Sequence, residues 1–78
     1  MNLAEIRKAI DSLVSFFGFN YNKKNCGVDP ISHTQYEMWY GEEKTYTAKS
    51  IDDVLSVPLF NGKSINEIYN EIEITDIY

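Results

Sequence analysis

Three sets of residues have types and spacings that could do chemistry, and the first is Gly62-Lys63-Ser64. These are the last residues of the GxxxxGK[ST] phosphate loop, in which successive backbone amides wrap the phosphates while Lys and Ser reach phosphate and Mg²⁺. The first glycine of such a loop would stand at position 57, where the chain has Val57. Pro58 has no amide hydrogen to give, and Phe60 would crowd the ligand. The segment reads instead as architecture: Asn61-Gly62 is a turn, and Ser64 with Glu67 forms an S-x-x-E capping box.

The second set is Cys26, Asp29 and His33, the arrangement here that could pair a nucleophile with a base or hold a metal. A thiol nucleophile needs its base within hydrogen-bond reach. A closed structural zinc site needs more soft donors than these residues supply. The surrounding sequence matches no cysteine-enzyme signature, and a lone cysteine commonly serves as a small packed side chain.

The third set is the paired carboxylates Glu42-Glu43, Asp52-Asp53 and Glu71/Glu73. The first pair falls in a hairpin turn and the second in the first turn of a helix, where acids are favoured by the helix dipole. Glycosidase chemistry needs two carboxyls facing one another across a cleft, and so small a domain has little depth for one. No catalytic residue, metal ligand or cofactor is therefore expected, and the chain reads as noncatalytic. A small Cys/His enzyme or metal-binding protein is the alternative from a different class.

A chain of 78 residues makes one domain with room for one core, and 44% hydrophobic content is enough to build it. The single cysteine excludes an intramolecular disulfide, the first residues carry charges where a signal peptide is apolar, and no run reaches membrane-span length. A cytoplasmic protein stabilised by burial is the expectation, and its small size is compatible with a homodimer.

The net charge of −5 is unevenly distributed along the chain. Residues 1–49 hold six acids and six bases, whereas residues 50–78 hold Asp52, Asp53, Glu67, Glu71, Glu73 and Asp76 against Lys63 alone. A nonspecific nucleic-acid binder needs a basic surface, so direct DNA or RNA binding is not expected. The balance suits a partner with a basic surface.

Several elements must position these residues. Leu3, Ile6, Ile10, Leu13, Val14 and Phe17 recur at helical spacing, which predicts an amphipathic helix over about residues 3–17, capped by Asn2 with Glu5 and ended by Gly18. Within residues 19–34, Phe19 and Tyr21 alternate as in a short edge strand, and the turn-forming residues after them predict a loop. Tyr36, Met38 and Tyr40 then alternate with Glu37 and Trp39, and a turn at Gly41 leads to residues 44–48, so a β-hairpin is expected. Trp39 points away from the tyrosine face.

Ser50 caps a short helix carrying Ile51, Val54 and Leu55, which Pro58 stops. Ser64 opens another, with Ile65, Ile68, Tyr69 and Ile72 as its stripe. Residues 72–78 fit helix or strand equally well. The predicted architecture is a single α+β domain in two layers: an antiparallel meander of two or three strands packed against one N-terminal and two short C-terminal helices.

The segment Leu59-Phe60-Asn61-Gly62-Lys63-Ser64-Ile65-Asn66-Glu67-Ile68, closing with Glu71-Ile72-Glu73-Ile74, resembles the end of small acidic uncharacterised proteins of low-GC Gram-positive bacteria and their mobile elements. A tyrosine-rich hairpin precedes the motif in both. The resemblance implies a bacterial or phage cytosolic protein and carries no activity to transfer. The expectation is a protein-interaction or regulatory module using Trp39, the acids Glu67, Glu71 and Glu73, or both. Trp is enriched at interface hot spots. An inhibitor that mimics nucleic acid and occupies a DNA- or RNA-binding enzyme is the alternative within the same class.

Overall fold

The computed structural model describes residues 2–12 and 16–77. Helix α1 (Leu3–Asp11) is followed by strands β1 (Phe17–Tyr21), β2 (Lys24–Ser32), β3 (Gln35–Tyr40) and β4 (Lys44–Ala48). Helices α2 (Ile51–Ser56) and α3 (Ile65–Ile68) and strand β5 (Glu73–Ile77) complete the chain. The strands form one antiparallel sheet in the order β4-β3-β2-β1-β5. The α+β class and the two layers are as predicted, but the sheet has five strands where the sequence suggested two or three.

Register explains which residues face the helices. Directly opposed residues of antiparallel strands share a face. Phe17 and Phe19 oppose Val28 and Cys26, which oppose Met38 and Tyr40 in turn, while Tyr36 opposes Ala48. All of these are buried, and they form one core with Ile6 and Ile10 of α1, Val54 and Leu55 of α2, and Ile65 and Ile68 of α3. Phe60 plugs its centre, 5.3 Å from the Phe19 ring and 6.1 Å from Tyr40, edge-on to the latter. Tilted and edge-on pairs add to area burial because the positive ring edge meets a negative face.

Several expectations need correction. The first helix ends at Asp11, not near residue 17, and Leu13 and Val14 lie outside the described residues. Phe17 belongs to β1, since it fits the alternation Phe17, Phe19, Tyr21 as well as it fits a helical stripe, and Gly18 is a strand residue rather than a helix stop. Strand β1 is not an edge, because β5 pairs along its other side. The undecided tail is therefore strand over 73–77.

The loop expected after Tyr21 is instead a tight hairpin and a nine-residue strand. Asn22 and Lys23 both have positive φ, 54° and 63°, as a two-residue turn matching the strand twist demands. Pro30 is tolerated in β2 because β1 stops opposite Val28, leaving β2 with one neighbour beyond that point, and the pairing with β3 is irregular between Pro30 and Ser32.

The C-terminal punctuation follows the sequence. Ser50 Oγ accepts the Asp53 amide at 3.0 Å to start α2. Asn61 and Gly62 turn the chain with φ of 57° and 79°, and Phe60 and Lys63 exchange backbone bonds across the turn. At α3, Glu67 Oε1 accepts from the Ser64 amide at 3.0 Å and from its hydroxyl at 3.2 Å. This helix is only four residues long, so Tyr69 and Ile72 lie past it, half-buried against the core.

Candidate functional site

The three helices lie on one face of the sheet, and on the other face, which no described helix covers, stands Trp39 of β3. It opposes Gly27 on one side and Thr45 on the other, and Gly27 opposes Gly18. The indole rests against Gly27 of β2. A Cβ at Gly27 would stand 2.3 Å from Trp39 Cζ2, so only glycine permits this approach. Asn25 Oδ1 accepts from Trp39 Nε1 at 3.2 Å, and the Phe16 ring lies 5.9 Å away. The indole is half-buried and fixed in orientation, with part of its surface presented to solvent.

Carboxylates surround this aromatic centre. Asp29 opposes Glu37, Glu37 opposes Thr47, and Glu73 opposes Asn20, all on the parity of Trp39. Glu37 is held by two donors, Gln35 Nε2 at 3.0 Å and Thr47 Oγ1 at 2.9 Å. Those two hydrogen bonds, Gln35 first, hold its carboxyl below the ordinary range, so it stays ionised at neutral pH. Exposed Ile31, 55% accessible, lies at the irregular end of β2.

Glu71 and Glu73 come together in an open depression of about 380 Å³ with Asn20, Tyr21, Asn22 and Lys23. Its floor is the β1–β2 turn. Glu67 stands apart from it, engaged in starting α3. Trp39 and Glu73 thus share the open face on different strands, whereas Glu67 has a local structural task.

Two acids of residues 50–78 have partners in earlier parts of the chain. Asp52 pairs with Arg7 of α1 at 2.8 Å. Asp53 accepts from Tyr46 at 2.9 Å and from the Lys49 amide at 3.2 Å, tying α2 to β4. Both bonds return C-terminal charge to earlier parts of the chain.

Cys26, Asp29 and His33 are not brought together. Cys26 is buried on the helix side of β2, Asp29 is exposed on the opposite side, and His33 lies in the β2–β3 turn beside Asp11, with Nδ1 3.3 Å from Oδ1. Burial pushes the Cys26 thiol up, which keeps it protonated and a poor nucleophile. Asp11 also accepts from the Tyr36 hydroxyl at 3.3 Å, a link between α1 and β3 that sequence spacing had no means of revealing. Among the described residues no group of three or more His, Cys, Asp or Glu is placed to hold a metal, and no helix is long and apolar enough to cross a membrane.

Phe16, Asn25 and Gly27 join the open face without any sequence signal for it: Phe16 fell in the expected helix, and the other two in an expected loop. The alternation of residues 36–40 did place Trp39 opposite the tyrosines. In comparisons with family models, curated proteins and solved structures, nothing matches this chain.

Proposed function

We propose that the chain is a noncatalytic protein-interaction module that receives a basic polypeptide surface on its open sheet face. The observation supporting this reading is the make-up of that face: Trp39 and Phe16 at the centre, with Asp29, Glu37 and Glu73 as the charged side chains described on it. A guanidinium over an exposed indole gains about 0.5–1 kcal/mol, and flanking carboxylates add steering that salt weakens. Lys23 lines the same depression as Glu71 and Glu73, a cation that an incoming basic group would meet there.

Trp39 is the single tryptophan, so its fluorescence reports this face alone. Arg- and Lys-rich peptides are expected to change that emission in a salt-sensitive way, and Glu37→Gln with Glu73→Gln is expected to weaken the effect. Duplex DNA that displaces the chain from a basic enzyme would identify the nucleic-acid-mimic form of the same reading. A partner recovered from the native host whose affinity is unchanged by Trp39→Ala and by the two glutamate substitutions would refute it.

A further inference from the structure

The two edges of the sheet differ. At β5 the pairing with β1 shifts between Gly18 and Phe19, and the strand carries the exposed Glu73, both devices that discourage further strand pairing. At β4 the pairing with β3 runs without a shift from Tyr40↔Lys44 to Tyr36↔Ala48, and the strand KTYTA has no proline and no acid. Its outer backbone groups face no described strand. Such an edge is a template for another strand.

We infer that β4 pairs antiparallel with β4 of a second copy of this chain, making a two-fold dimer with one continuous sheet. Residues opposed across antiparallel strands must share a face, which limits the registers to those that keep Tyr46 opposite helix-side residues. Of these, the register centred on Tyr46 pairs all five residues of each strand. It sets Thr45 against Thr47 of the second copy, a favourable cross-strand combination, and Lys44 against Ala48.

One step beyond the strand it sets Glu43 against Lys49 of the second copy, twice by symmetry. Both residues are exposed, and Lys49 has no ion-pair partner among the described residues, so the dimer would supply one. Centring the register on Thr45 or Thr47 loses both the charge match and part of the strand overlap. The open faces of the two copies become one, with the Trp39 positions three strand spacings apart across the sheet and two residues offset along it, about 16 Å in all.

Sedimentation of the full chain from dilute solution to about 1 mM tests this. A concentration-dependent dimer is expected. Lys49→Glu alone and Glu43→Lys alone each turn both ion pairs into like-charge contacts and are expected to weaken dimerisation about tenfold. An equimolar mixture of the two variants restores opposite charges at both positions and is expected to recover the wild-type constant. If Glu43→Lys fails to fold for want of its Lys24 partner, Lys49→Glu alone decides: weaker association supports the pairing, unchanged association overturns it. A wild-type chain that stays monomeric at about 1 mM, or a dimer indifferent to these charges, overturns the inference.

Discussion

Substituting Gly27→Ala tests the seat of the Trp39 indole, and its cost can be worked from the geometry. The new Cβ would meet Trp39 Cζ2 at 2.3 Å, Cη2 at 2.6 Å and the Phe17 carbonyl oxygen at 2.9 Å, all inside normal contact. Two escapes exist. The strands shift to keep the ring in place, with an overpacking cost of about 1–3 kcal/mol. Otherwise the indole lifts off, giving up roughly half of a tryptophan's buried area, about 2–3 kcal/mol. Alanine recovers about 0.5–1 kcal/mol over glycine within a strand, leaving a net loss of about 1–2 kcal/mol. For a domain of this size that lowers Tm by about 5–15 °C.

Thermal unfolding followed by circular dichroism measures the loss, and red-shifted Trp39 emission distinguishes lift-off from strand shift. In a Trp39→Ala background the ring clash is gone, so the same substitution should cost clearly less, a non-additivity expected only of residues in contact. A Gly27→Ala protein as stable as wild type with unaltered Trp39 emission would show that the indole does not rest on that glycine.

Two further outcomes follow from particular contacts. Burial and Asp11 raise the Tyr36 pKa, and the hydrogen bond to Asp53 raises that of Tyr46, so the folded state holds both phenol protons more tightly than the unfolded chain does. Their contribution is complete below about pH 10 and is lost as pH climbs through the raised folded values, so urea midpoints should fall above that pH, less steeply in Tyr36→Phe/Tyr46→Phe. Glu67→Ala removes the acceptor for the Ser64 amide and hydroxyl, and is expected to lower unfolding free energy by about 1 kcal/mol in urea titrations while leaving binding at the open face unchanged.

The helix layer was mostly legible because its signals are local. Asn2 with Glu5, Ser50, Ser64 with Glu67 and Asn61-Gly62 each act within a few residues, and each does what its spacing says. Strand β2 was not legible, because Pro30 and the polar run from Asn22 to Asn25 look like a loop until a neighbouring strand is known to end at Phe17. Lys23 at φ 63° compounds this, since a lysine rarely marks a left-handed turn. Strand β5 could not be read from so few residues, because its pairing partner lies at the other end of the chain. Charge was legible only as a sum: sequence position grouped Asp52, Asp53 and Glu67 with Glu71 and Glu73, but did not show that Arg7, Tyr46 and Ser64 engage the first three. The open face was legible only in Trp39, since a glycine beneath a ring leaves no periodic trace.

The position of β1 between β2 and β5 also bears on how the chain is made. Phe19 pairs with Cys26 across a tight turn on one side and with Ile74 on the other. During synthesis the first pairing can form as soon as β2 leaves the ribosome, while the second waits until residues 73–77 have followed. In that interval β1 is a bare edge bearing Phe17 and Phe19, the kind of surface that nascent chains stick by. The same strand that anchors the finished sheet thus presents an unpaired edge until β5 arrives.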